Sequence, residues 1–206
     1  MANSQQQLAG RVEELRLALR KKGNPQNLAF LSGAEYRGNE TGEFHLPLFA
    51  RPISVSYPDF TAFDAQSGES LSITTQALLL YYLNTADGTP LDGSWVSFAE
   101  LPDGRFYNQA FQGYTGQELV RHFGNDLSAL AQAARKLDGM KLGFGDAAFT
   151  FHILPRVSLA VVYHLGDEDF PATCQILFDA SVSHYLPTDV CAILGSMLTR
   201  KLINAA

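Results

Sequence analysis

Asp167, Glu168 and Asp169 stand in a row at what reads as a strand connection, with His164 before them and Cys174 after them. Clustered carboxylates suit a hard cation such as magnesium or calcium, which takes oxygen ligands. A histidine and a thiolate gathered beside them would suit zinc instead, or an activated cysteine nucleophile. These five residues are the candidate catalytic set. The row lacks the ligand ladder of a calcium loop, and no two candidates have the short spacing of a zinc motif, so no metal is assigned to it. A solvated turn that keeps a sheet end from pairing with its neighbours is the plainer reading.

A second candidate is aromatic. Trp95, Phe98, Phe106, Tyr107, Phe111 and Tyr114 are dense enough to line a pocket for a flat ligand, with Trp95, Phe98, Tyr107 and Tyr114 as the candidate binding residues. Aromatic residues at strand spacing also build cores. The histidines at 45, 122, 152, 164 and 184 include no helical i,i+4 pair and no HxH. Asp179 and His184 are near enough in sequence to hydrogen-bond, although an Asp that caps its own loop is the commoner arrangement. Gly143-Phe144-Gly145-Asp146 precedes a strand and so lacks the strand-to-helix geometry of a phosphate cradle. No nucleotide-loop, nucleophile-elbow or zinc-protease motif occurs, and no cofactor is expected.

Fifteen Lys and Arg against 21 Asp and Glu give a net charge of -6, which supplies no basic footprint for nucleic acid or an acidic membrane surface. The apolar fraction of 46% is enough for a real core. Charged residues recur through the first 22 positions, and no window of about 18 uncharged apolar residues occurs. A cytoplasmic protein with reduced cysteines, Cys174 and Cys191, is therefore expected.

The elements that must position these residues are set by periodicity. Leu8, Val12, Leu15 and Leu19 mark one face of a helix that ends at Lys21-Lys22-Gly23, before the break at Asn24-Pro25. Phe44 to Phe63 alternates between prolines and predicts short or edge strands, with a turn at 66–70. Gln76 to Leu83 is too leucine-rich for a strand and predicts a buried helix that stops at Asp87-Gly88. A strand over 94–98 places Trp95 in the core, and Pro102-Asp103-Gly104-Arg105 predicts a hairpin turn back through Tyr107. Thr115-Gly116-Gln117-Glu118 matches a capping box, and a further helix covers 126–137. Three strands then run from Phe149 to Asp179, and a closing helix begins near Thr188 as N-cap, with Val190, Ile193, Leu194, Met197 and Leu198 as its buried stripe.

Gly93-Ser94-Trp95-Val96-Ser97-Phe98, Leu101-Pro102-Asp103-Gly104, Gly145-Asp146-Ala147-Ala148-Phe149, Asp167 to Pro171, Ile176-Leu177-Phe178-Asp179 and Tyr185-Leu186-Pro187, in this order, resemble a prokaryotic family known as domain of unknown function 3786. The resemblance runs from about residue 25 to the end. It implies a stand-alone copy of a domain that in longer members accompanies an iron-sulfur domain, and a setting in an anaerobic redox or one-carbon pathway. It implies no catalytic residues. Two cysteines are too few for a four-cysteine cluster, so no cluster chemistry carries over.

The sequence thus predicts an α+β fold, with an antiparallel sheet ending in a three-strand meander and helices packed mainly on one face. An N-terminal helix over 1–24 would precede one domain over 25–206. The leading functional expectation is a soluble binding or accessory module for a small ligand or partner protein. The alternatives are a metal-assisted or thiol-dependent enzyme centred on the 164–174 hairpin, and a structural subunit.

Overall fold

The computed structural model describes residues 2–206, with side chains from residue 5 onward. Its packing divides into two units, one holding the described residues up to Pro90 with 154–156 and 184–186, the other holding 91–153, 157–183 and 187–206.

In the first unit, helix α1 (Ala2–Lys22) buries Val12, Leu15 and Leu19 along the expected stripe. It packs on α3 (Ile73–Thr85), which is apolar on most sides and buries Ala77, Leu78, Leu79, Leu80, Tyr82 and Leu83. Gly23 takes the left-handed conformation (φ 75°) after the last turn of α1. Asn24 and Pro25 do more than break the chain. The Asn24 side chain accepts the Asn27 N–H at 3.0 Å, and Pro25 opens a new helix, α2 (Pro25–Ser32), where its missing N–H costs nothing.

Strands β1 (Glu35–Gly38), β2 (Gly42–Leu48), β3 (Arg51–Tyr57) and β4 (Ala62–Asp64) form an antiparallel sheet in sequence order. The prolines predicted short or edge strands here, yet β2 and β3 are seven residues long and occupy the two middle positions. Register explains the difference. Pro47 and Pro52 face each other beside the turn, where β1 pairs no further along β2 than His45 and β4 no further along β3 than Ile53. Neither proline therefore removes a donor that a neighbouring strand needs.

The second unit carries a five-stranded sheet of β5 (Trp95–Ser97), β6 (Met140–Leu142), β7 (Ala147–Leu154), β8 (Val157–His164) and β9 (Thr173–Asp179), in the order β5-β9-β8-β7-β6. The meander β7-β8-β9 is as the sequence predicts. All of β8 except His164 is buried, so both of its alternating residue sets face packed surroundings, as in a central strand covered on both sides.

Around this sheet lie α4 (Gly104–Tyr114), α5 (Gly116–Phe123), α6 (Leu127–Lys136) and α7 (Thr188–Ala205). Helix α4 replaces the predicted hairpin through Tyr107. Asp103 adopts a left-handed conformation (φ 58°) and hands the chain to a helix at Gly104, where a Cβ would strike the Phe98 carbonyl oxygen. The Pro-Asp-Gly signal marks a change of direction but does not choose between strand and helix for the next element.

Helix α5 starts where the capping-box motif puts it, but no capping box forms there. The Thr115 hydroxyl donates to the Phe111 carbonyl at 2.5 Å, and Glu118 pairs with Arg121. Thr188 likewise does not cap α7. Pro187 holds the N-cap position and the Thr188 hydroxyl donates to the Pro102 carbonyl at 2.7 Å. The buried stripe of α7 is Val190, Cys191, Leu194, Gly195, Leu198, Thr199 and Leu202, with Ile193 on the exposed side. Gly195 joins it for a steric reason: a Cβ there would lie 2.6 Å from the Phe111 ring.

Trp95 is half-buried, not a core residue, because β5 is a three-residue edge strand paired only with β9. Trp95→Ala is expected to cost about 1 to 2 kcal/mol in chemical denaturation, below the range for a fully buried aromatic. A loss above about 3 kcal/mol would mean that Trp95 packs as a core residue after all.

Candidate functional site

The acidic connection is a hydrogen-bonded turn. Asp167 Oδ1 accepts the backbone N–H groups of Asp169 at 2.9 Å and Phe170 at 2.7 Å, while its own N–H donates to the Phe170 carbonyl at 2.8 Å. Asp146 Oδ2 accepts the Leu165 N–H at 2.8 Å and so anchors the approach to the turn. Glu168 and Asp169 are exposed.

Strand register separates the other two candidates. Cys174 lies opposite Tyr163, and His164 lies opposite Thr173, so His164 and Cys174 belong to opposite faces of the β8-β9 pair. His164 is exposed. Cys174 is buried, and burial pushes its thiol up to about 12, which keeps it protonated at neutral pH, unlike an activated thiolate. The structure does not bring the five residues together. Among the described residues, no group of three or more His, Cys, Asp or Glu is arranged to hold a metal ion.

Because Asn can accept the same N–H bonds as Asp, the variant Asp167→Asn, Glu168→Gln, Asp169→Asn should keep the turn and change stability by less than about 1 kcal/mol. Millimolar magnesium, calcium or manganese should leave the melting temperature of the parent where it is. A saturable rise of several degrees that the triple variant lacks would make the turn a cation site.

The aromatic set divides. Phe98 and Phe111 stack at 4.2 Å between centroids and meet Phe178 at 6.3 and 6.0 Å, all three in the core. Tyr114 touches Phe111 edge-on at 5.8 Å, yet is 42% exposed. Tyr107 and its neighbour Phe106 are 66% and 84% exposed. Of the candidate binding residues, Phe98 is buried in the core, Trp95 is half-buried at the sheet edge, and Tyr107 and Tyr114 are exposed on α4, one turn before and one turn after the buried Phe111. Helix α4 thus carries one fully buried ring, Phe111, and exposed rings at Phe106, Tyr107 and Tyr114.

Asp179 serves as a loop clamp. Its carboxylate accepts the N–H groups of Asp92 at 3.0 Å, Gly93 at 2.8 Å and Ser181 at 3.0 Å, and the Ser181 hydroxyl at 2.7 Å. This is the capping arrangement that competes in sequence with an Asp179–His184 bond. His184 pairs instead with Asp87, in the first unit, with Nδ1 2.6 Å from Asp87 Oδ2 and 3.2 Å from Thr89 Oγ1. Asp87 also accepts the Thr89 N–H at 2.9 Å, and that bond together with His184 holds its carboxyl down at about 2. Tyr185 is buried beside Tyr82, with ring centroids 5.8 Å apart, and its hydroxyl donates to the Thr89 carbonyl. The pair spans a long stretch of chain and has no local sequence signal. Asp87-Gly88 reads only as a helix stop.

The fold and these sites define an α+β protein with antiparallel sheets and no group of three or more metal-ligating side chains among the described residues. The chain belongs to the family described as Domain of unknown function (DUF3786), whose model matches residues 24–201. No curated protein and no solved structure matches it. None of its helices is long and apolar enough to cross a membrane, among the described residues.

Proposed function

We propose that the protein is a non-catalytic binding or accessory module whose contact surface is the outer face of α4. The observation that carries this reading is the adjacent pair Phe106 and Tyr107, 84% and 66% exposed, on a helix anchored in the core by the buried Phe111. Neighbouring exposed rings on one helix cost hydration free energy, and amphipathic Tyr is enriched where proteins meet. Anchoring by Phe111 makes the face rigid before it binds, which limits the entropy lost on association.

A helix face suits a partner protein better than a small molecule, which takes a concave site. The redox or one-carbon setting implied by the family resemblance is the context proposed for that partner. The enzyme reading of the 164–174 hairpin draws no support from a register that parts His164 from Cys174.

The test is site-specific photocrosslinking in host cells, with the reactive residue at Phe106 or Tyr107 and, as control, at Gln175 on the exposed side of β9. The reading expects one adduct of defined mass from both α4 positions and none from the control. Equal adducts from all three, or none from α4, would overturn it.

A further inference from the structure

We propose that His184 is a phosphoryl-acceptor site, with Nε2 as the nucleophile and Asp87 as the residue that orients and supports it. This inference concerns the first unit and is independent of the α4 face. Three observations carry it. The imidazole is held through Nδ1, at 2.6 Å from Asp87 Oδ2 and 3.2 Å from Thr89 Oγ1; two oxygen partners on Nδ1 favour the tautomer that carries its proton there and its lone pair on Nε2. The side chains of both His184 and Asp87 are 49% exposed, so Nε2 can meet a donor that arrives from solvent or on another protein. The ring is also well placed. The next residue, Tyr185, is fully buried, its ring tilted against Tyr82, and bonds through its hydroxyl to the Thr89 carbonyl, so the backbone beside His184 and beside Asp87 is anchored.

None of the other histidines combines these features. His45 meets Glu43 through Nε2 at 3.4 Å, which occupies the atom that would attack. His152 bonds Ser158 through Nδ1 at 2.8 Å, a neutral hydroxyl that offers no negative charge. His122 and His164 are exposed, and among the described residues neither has a carboxylate partner like that of His184.

In the transfer, the Nε2 lone pair forms a bond to phosphorus, the bond between phosphorus and the leaving group of the donor breaks, and the leaving group departs with that electron pair. The ring keeps its Nδ1 proton and gains positive charge as the N–P bond forms. Asp87 lies where it stabilises that charge, the role a carboxylate plays behind a catalytic imidazole.

The test uses the full chain and phosphoramidate, whose P–N bond breaks with loss of ammonia, with phosphorus NMR and site mapping by mass spectrometry under mildly alkaline conditions as the readouts. His184 should be labelled about tenfold faster than His122 or His164, and Asp87→Asn should remove most of that advantage. His184→Gln should abolish the fast phase and leave slow labelling elsewhere. Circular dichroism and melting of Asp87→Asn show whether the loop is intact; if it is not, Thr89→Val, which leaves the carboxylate in place, should retain the fast phase. Labelling spread evenly over the exposed histidines, or a rate at His184 that is indifferent to Asp87 in a folded variant, would overturn the proposal.

Discussion

Replacing Phe111 by alanine is expected to destabilise the protein by about 3 to 5 kcal/mol, the range for truncating a fully buried aromatic. Phe111 has no exposure and is the ring on which Phe98, Tyr114 and Phe178 converge. The site has little room to collapse after truncation, because its ring also fills the space left by the missing side chain of Gly195. Urea denaturation of the variant measures this directly. A loss below about 1.5 kcal/mol would mean that the neighbours close the cavity, and that α4 is held by something other than this ring.

Asp179→Ala is the second large effect, expected at about 2 to 4 kcal/mol. One carboxylate satisfies three backbone donors and a hydroxyl, and Ser181 is buried with it. The effect has a pH signature whose sign is fixed by the direction of the shift. Burial by itself would raise the Asp179 carboxyl, but the bonds from Ser181 and from the Asp92 and Gly93 N–H groups outweigh it and the value is lowered. A lowered carboxyl contributes stability that is present above the ordinary carboxylate value and is lost as pH falls through the folded one. The gap between the parent and Asp179→Ala should therefore be full at neutral pH and narrow on acidification. A gap that stays constant from about pH 7 to below about pH 3 would contradict the clamp.

The elements most legible in the sequence were those whose burial keeps a single period over a long stretch. The α1 stripe, the leucine-rich α3 and the β7-β8-β9 meander belong here, because each is long enough for packing on one side to impose the pattern. A local signal with two physical outcomes is less legible. Pro102-Asp103-Gly104 turns the chain equally well into a strand or into α4, and the outcome depends on Gly104 passing close to the Phe98 carbonyl, a contact invisible in sequence. The Thr115 hydroxyl could cap forward or bond back, and it bonds back to Phe111.

Candidate chemistry was less legible for the same reason. His164, Asp167 and Cys174 are close in sequence, but a one-residue step in register sends His164 and Cys174 to opposite faces. Asp87 and His184 are far apart in sequence and meet at 2.6 Å. Exposure of Phe106 and Tyr107 depends on α4 being a helix, since the hairpin reading would have placed alternate residues inward.

The most direct measurement of the proposed binding face is native mass spectrometry of the protein purified gently from its host, comparing the parent with the double variant Phe106→Ser, Tyr107→Ser. Both side chains are largely exposed, so the variant should fold with an unchanged or slightly raised melting temperature. A partner mass is expected on the parent and not on the variant. The same mass on both proteins, or a bare chain in each case, would contradict it.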